Sequence, residues 1–257
     1  MSSPLLVLGP GQRSGSTLLQ RLISSHPEAF IWGEQEGHVQ RILEGVSRLV
    51  EHTEWVGDVA REEFAERGHQ GFMANLLPQP VVMSDAFGVF MARIFRKPGT
   101  RVWGFKEVRY DQEFCVFLQK FLPGTRVVFV VRDPRDVLSS LDEWERAGWW
   151  KPHRTLEAIE HWKRVASSFL ETTSVPVLTF RYEDYILDPE GTAQQLGEFA
   201  SLDPRGFDLS VFGVKVHNLG ATWERELRKF DELPPGMRAL LEDEGLRTTA
   251  KAYDYRL

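Results

Sequence analysis

The chain has 257 residues, enough to bury a sizeable core in one α/β domain or in a domain with an insertion. A formal net charge of −6 argues against a general nucleic-acid binder, and the single cysteine, Cys115, excludes a disulfide framework or a cysteine metal site. Met-Ser-Ser-Pro runs straight into an apolar stretch with no signal-peptide pattern, and no apolar run is long enough to span a bilayer, so a cytoplasmic protein is expected.

Leu5-Leu6-Val7-Leu8 has the continuous apolar character of a short buried strand. Gly9 to Ser16 is a small, polar, glycine-rich turn, and Leu18, Leu19, Leu22 and Ile23 then mark one side of a helix. His26 to His38 is expected to be a loop with an apolar patch and three carboxylates. Val39, Ile42, Leu43, Val46, Leu49 and Val50 fall on one helical stripe. A second helix is expected over Asp58 to Leu77, interrupted near Gly68 and Gly71, and a third over Val81 to Phe95. Together these form a helical insertion between the first two strands.

Val102 to Val108 reads as a strand ending in charged residues, followed by a short helix from Gln112 to Phe121. Arg126 to Val131 is the strongest strand in the chain, β-branched and unbroken, and is expected at the sheet centre. Asp133 suits an N-cap, Pro134 the first helical position, and Asp136 the acid of a capping box. After the aromatic loop Gly148 to Pro152, Leu156, Ile159, Trp162, Val165, Ala166, Phe169 and Leu170 mark a long amphipathic helix. Val175 to Phe180 gives the next strand, and Asp188-Pro189 caps a further helix. Beyond Asp203-Pro204 the pattern weakens, with helices expected near the C-terminus. Strands alternating with helices predict an α/β fold with a central parallel sheet and helices on both faces.

Strand, glycine-rich turn and helix form the layout of an anion-binding loop, because the turn exposes backbone N–H groups and the helix N-terminus adds unpaired donors. An anion there would meet Arg13, the hydroxyls of Ser14, Ser16 and Thr17, and several amides. Ser16 stands where a nucleotidase loop has its lysine, so the usual ATP or GTP γ-phosphate with magnesium is not expected. Ligands of open α/β sheets sit at the carboxyl ends of strands. Here those ends carry Arg13 and Ser14, Lys106, and Arg132. Arg132 takes the place of a magnesium-holding aspartate, and its guanidinium fork suits a second phosphate. Ser140, two turns along the next helix, can add a hydroxyl. The plainer alternatives are a salt bridge from Arg132 to Asp133 or Asp136, and a Ser140 hydroxyl bonded to its own helix.

Gln12-Arg13-Ser14-Gly15-Ser16-Thr17-Leu18-Leu19 resembles the 5′-phosphosulfate loop of sulfotransferases, and Val131 to Ser140 resembles their 3′-phosphate motif. His26-Pro27-Glu28, Phe105-Lys106-Glu107 and the run from Phe180 to Pro189 stand in the family's order, so the resemblance covers residues 4 to 200. It is nearest the arginine-loop branch, which includes tyrosylprotein, carbohydrate and many bacterial sulfotransferases. One P-loop-like domain is expected over residues 1–257, with the helical pattern placing an insertion over about 39–97 and a C-terminal helical segment over about 204–257. The resemblance implies 3′-phosphoadenosine 5′-phosphosulfate as donor, no metal, and a small-molecule, glycan or peptide hydroxyl as acceptor, while the net charge speaks against nucleic acid. Gln12, Arg13, Ser14, Gly15, Ser16, Thr17, Arg132 and Ser140 would hold the nucleotide, and Arg13 and Lys106 would act on the reacting oxygens.

For the base, a gapless match to the family's Gly-Glu-Glu puts Gln35 at the catalytic position, and an amide cannot take a proton. A shift of one residue makes Glu36 the base, with Glu34 the second candidate; one of these acids instead suits the cap of the next helix. His26 is expected to stabilise the turn after the first helix, while His153 and His217 have no assigned role. Trp149, Trp150 and Phe30 suit either an aromatic acceptor pocket or packing on the core. The rival functions are a P-loop nucleotide-dependent kinase and a non-catalytic nucleotide-binding protein on the same fold.

Overall fold

The computed structural model describes residues 3–214 and 233–257. Strand β1 (Leu5–Leu8) is wholly buried, and helix α1 (Ser16–Ser25) lays Leu18, Leu19, Leu22 and Ile23 against the sheet. Strand β2 (Ala29–Trp32) then occupies the region expected to be loop. Its four residues are too few to display a period; Ala29 and Ile31 face the core while Trp32 is exposed.

Helix α2 (His38–Arg67) is one thirty-residue element where two helices were expected. It runs through Gly57, which is buried with Thr53 and Ala60, and ends at Gly68, whose φ of 55° breaks the helical path. Helix α3 (Pro80–Phe95) packs on α2. The helical insertion therefore lies between β2 and β3 (Val102–Glu107), one strand later than the sequence suggested.

Helix α4 (Gln112–Phe121), strand β4 (Arg126–Val131) and helix α5 (Pro134–Arg146) follow in the expected order. Asp133 caps α5 by accepting from the Arg135 amide at 2.9 Å, with Pro134 in the first turn. Asp136 accepts from Arg132 at 3.2 Å, and the Asp133 amide that a capping box would engage donates to Glu183 at 3.0 Å. Helix α6 (Arg154–Ser168), strand β5 (Val177–Arg181), and helices α7 (Tyr182–Leu187) and α8 (Pro189–Ala200) complete the alternating part. Helices α9 (Pro235–Leu240) and α10 (Glu244–Ala252) supply the C-terminal helices. Tyr253 and Tyr255 bury their rings and donate to the Ala166 carbonyl (2.8 Å) and to Glu183 (2.7 Å).

The five strands pair in parallel in the order β2-β3-β1-β4-β5. The centre is β1, not β4, which lies between β1 and β5. Both strands are covered on both faces, so apolar composition alone does not separate them. Alternate strand residues feed two cores. Leu6, Leu8, Trp103, Phe105, Phe129 and Val131 face α4, α6 and α10, while Leu5, Val7, Val128 and Val130 face α1 and α8. Among the described residues no helix is long and apolar enough to cross a membrane.

β3 approaches β1 closely at Gly104, where an added Cβ would stand 1.9 Å from the Leu5 carbonyl oxygen. Gly104→Ala must push the two strands apart, and is expected to cost ~1–3 kcal/mol or more as an overpacking change. Urea unfolding reads this directly; an unchanged midpoint would contradict the packing.

Candidate active site

The turn between β1 and α1 is shaped by its neighbours. Gly15 has a φ of 93°, and a Cβ there would fall 2.3 Å from Tyr182 Cδ2. The Tyr185 hydroxyl donates to the Gly15 carbonyl at 2.9 Å, so α7 clamps the turn from β5. Gly15 is also the N-cap of α1 and offers no capping side chain, so the first-turn amides have no side-chain cap. Arg13 sits at a φ of 68°, a conformation that costs a non-glycine residue energy. Ser14 donates to Ser16 at 3.3 Å, while Gln12 on the loop and Thr17 in the first turn of α1 are half-buried.

Two guanidinium groups flank this turn. Arg13 Nε donates to Ser140 Oγ at 2.5 Å, and its guanidinium carbon lies 4.4 Å from the centre of the Trp144 ring. Ser140 and Trp144, one helical turn apart on α5, thus present a polar and an aromatic seat for Arg13. Arg132, at the end of β4, donates through Nη1 to the Arg13 carbonyl (3.2 Å) and through Nη2 to Asp136 (3.2 Å). It lies over the Tyr182 ring at 4.2 Å, and its buried Nε has no hydrogen-bond partner among the described residues. Of the two sequence alternatives for Arg132, the salt bridge to Asp136 is present, and the unbonded Nε leaves one donor open. Asp133 pairs with Arg135 instead.

The third strand end lies beside the first, since Val7 pairs with Lys106 and Leu8 with Glu107. Lys106 is buried, and its Nζ forms an ion pair with Glu34 Oε1. Arg109 Nη1 donates to Glu34 Oε2 at 2.9 Å and to Glu107 Oε1 at 2.6 Å. Glu107 is fully enclosed and accepts from the amides of Val108 (2.9 Å), Gln35 (3.2 Å) and Gly37 (3.1 Å). Burial alone would raise the pKa of Glu34, but the Lys106 charge and the bonds from Lys106 and Arg109 outweigh it and hold the carboxyl below the ordinary carboxylate value. Glu36 is exposed at a φ of 52°, and its side chain makes no hydrogen bond or ion pair among the described residues. Neither acid caps α2, whose N-cap is Gly37.

Other expected residues fall outside this cluster. His26 is buried and accepts from the Glu28 amide at 3.1 Å, holding the turn after α1 as expected. His153 precedes α6 without capping it through its side chain, and His217 lies outside the described residues. Trp150 is a packing residue, donating to Thr155 Oγ1 at 3.1 Å, whereas Trp149 is exposed. The Phe30 ring is occupied by Lys97, 4.6 Å away. Burial pushes the Cys115 thiol far up, which makes it inert. Glu107, Tyr182 and Tyr185 lie inside the quoted motifs but were given no role, and Trp144 and Arg109 lie outside them. The only signal for the last two is position, one helical turn from Ser140 or just after a strand end.

A model of the sulfotransferase family matches residues 4–205. No curated protein matches the chain. Among solved structures, it is similar to the sulfotransferase domain of the Synechococcus PCC 7002 olefin synthase, at 17% identity and a TM-score of 0.55 over 99% of this chain and 95% of that one. It is similar to sulfotransferase STF9 from Mycobacterium avium at 15% identity and 0.52, over 100% of this chain and 78% of that one. Mouse sulfotransferase SULT7A1, complexed with PAP, matches at 12% identity and 0.51, over 99% and 89%. At these identities the likeness to the solved structures shows a shared fold.

Glu34 gives a pH prediction. Its pKa in the folded protein lies below the ordinary value of 4.5, so its contribution to stability is present above that value and is lost as pH falls through the folded one. Glu34→Gln is therefore expected to melt below wild type at neutral pH, with the gap closing as the solution is acidified past the ordinary carboxylate range. Thermal melts across that range check it; a gap that stays constant would contradict the ion pairing.

Proposed function

The chain belongs to the sulfotransferase family, and on that premise we propose that it moves a sulfuryl group from 3′-phosphoadenosine 5′-phosphosulfate to an acceptor hydroxyl by in-line displacement. The observation that carries this reading is the convergence of three cations, Arg13, Arg132 and Lys106, from three strand ends around one glycine turn, with a carboxylate on the lysine. The PAP held by the mouse relative supports the donor. So do the unpartnered Arg132 Nε and the α1 N-terminus without a side-chain cap, which fit two separate phosphates.

When bound, the donor supplies the sulfuryl group and its 5′-phosphate departs with the bridging oxygen. Arg13, Gly15 and the hydroxyls of Ser14, Ser16 and Thr17 hold that 5′-phosphate, with Gln12 at the loop's edge. Arg132 grips the 3′-phosphate, and Ser140 orients Arg13 beside it. Lys106 and Arg13 stabilise the charge that grows on the bridging oxygen. A sulfuryl group carries less negative charge than a phosphoryl group, so side-chain cations suffice for this task and no metal is called for. The missing loop lysine and the arginine at the magnesium-aspartate position speak against a kinase.

The acceptor's proton passes to a carboxylate of the 33–37 loop. Sequence order put Glu36 first, but contact with Lys106 favours Glu34, because a base must stand within reach of the reacting centre before its pKa matters. A small-molecule, glycan or peptide hydroxyl is the acceptor class. The lone buried Cys115 needs no oxidising compartment, which fits a cytoplasmic location. The C-terminal helices form one unit with the sheet in this reading, supported by the Tyr253 and Tyr255 bonds.

3′,5′-Adenosine bisphosphate is expected to stabilise the protein without magnesium, by ~2.7 kcal/mol at a hundredfold excess over its dissociation constant. AMP should do much less, and Arg132→Ala should erase the difference. Equal stabilisation of wild type by both nucleotides would contradict the 3′-phosphate site. Glu34→Gln should cut turnover by ~10²–10⁴ while leaving nucleotide binding intact, with Glu36→Gln much milder. The reverse order would return the base to Glu36.

A further inference from the structure

The cations and acids at the β3 end form an alternating chain, Lys106, Glu34, Arg109, Glu107, in which each member touches the next. Its anchor is Glu107. A fully buried carboxylate is costly unless it is paired and bonded. Glu107 meets that condition with three backbone amides and Arg109, and two of those amides, from Gln35 and Gly37, belong to the loop that carries Glu34. The loop bends over Glu107 through two left-handed residues, Glu36 and Gly37 (φ 52° and 77°). Glu107 thus fixes both the loop backbone and the arginine that faces it.

The two oxygens of Glu34 have different partners. Oε1 meets Lys106 and Oε2 meets Arg109. If Lys106 turns to the donor, Oε1 loses its cation while Oε2 keeps one. We propose, building on Glu34 as the base, that Arg109 anchored by the buried Glu107 is a positioning residue that holds Glu34 by Oε2, so that Oε1 stays ionised and faces the acceptor when Lys106 engages the donor. The acceptor proton then lands on Oε1. With both cations in place Glu34 is a weak base, and losing Lys106 alone strengthens it without letting the carboxyl turn away. Loading of the donor and readiness of the base are coupled through one lysine. The charged groups facing Glu34 are Lys106 from β3 and Arg109 from the segment after it, with Glu107 behind Arg109.

The test follows the Glu34 side-chain carboxyl carbon by NMR titration in ligand-free protein, in wild type and in Arg109→Gln and Arg109→Lys. Arg109→Gln is expected to raise the titration midpoint of Glu34 and to leave the thermal shift with 3′,5′-adenosine bisphosphate unchanged. With an aliphatic alcohol acceptor, its kcat should fall about tenfold or more, short of the ~10²–10⁴ loss from removing the base itself. Arg109→Lys, which keeps the charge, should restore the low midpoint and part of kcat. Wild-type midpoint and kcat in both variants would overturn the role of Arg109, even if Glu34→Gln were inactive. Should Glu34→Gln turn over like wild type, the base assignment falls and this inference falls with it. If Arg109→Gln does not fold, Arg109→Lys carries the test through kcat: full activity overturns the guanidinium bridge, and partial activity with intact nucleotide binding supports it.

Discussion

The register of β1 between β3 and β4 is the constraint from which the site follows. Val7 stands beside Lys106 and Val128, and Leu8 beside Glu107 and Phe129. Parallel pairing therefore opens three strand ends at one edge, carrying the Arg13 turn, Lys106 and Arg132. A side-chain period of two means that a one-residue slip of β3 would turn Lys106 into the apolar layer and bring Phe105 to its place. That slip is resisted by the cores on both faces, with Trp103 and Phe105 fully enclosed on one of them. The close contact of Gly104 with Leu5 adds a steric reason for the same register.

The chain is acidic as a whole, yet the site gathers cations. Each of the three has an internal partner: Arg13 on Ser140 and Trp144, Arg132 on Asp136 and Tyr182, and Lys106 on Glu34. These contacts hold the side chains near their working positions, which lowers the reorganisation needed to meet a charged ligand. The tyrosines of α7 do the same for the backbone, one closing on Gly15 and the other bonding its carbonyl. In the proposed reading, nucleotide binding is an exchange of partners within this cluster.

Much of this was legible in the chain. Unbroken apolar runs gave β1 and β4, the Asp133-Pro134 pair gave the start of α5, and the glycine turn with Arg13 pointed to an anion. Arg132 and Ser140 were read as partners of that turn, and the fold brings both to it. The rest was hidden for physical reasons. β2 is four residues long, below the length at which alternation shows. The apolar stripe ends at Val50 and the next helix was expected from Asp58, whereas α2 runs unbroken between them and packs on α3. The order of β1 and β4 depends on pairing, which composition does not encode. The link from Glu34 to Lys106 joins residues seventy-two positions apart, and no local pattern announces it. Charge type at a strand end was visible; the partner across the sheet was not.

The most direct measurement is a crystal structure of the complex with 3′,5′-adenosine bisphosphate. The account predicts the 5′-phosphate on the Gly9–Ser16 turn, the 3′-phosphate on Arg132 with its Nε now bonded, and Glu34 still held by Arg109. A nucleotide bound elsewhere, or one whose 3′-phosphate leaves Arg132 untouched, would contradict it.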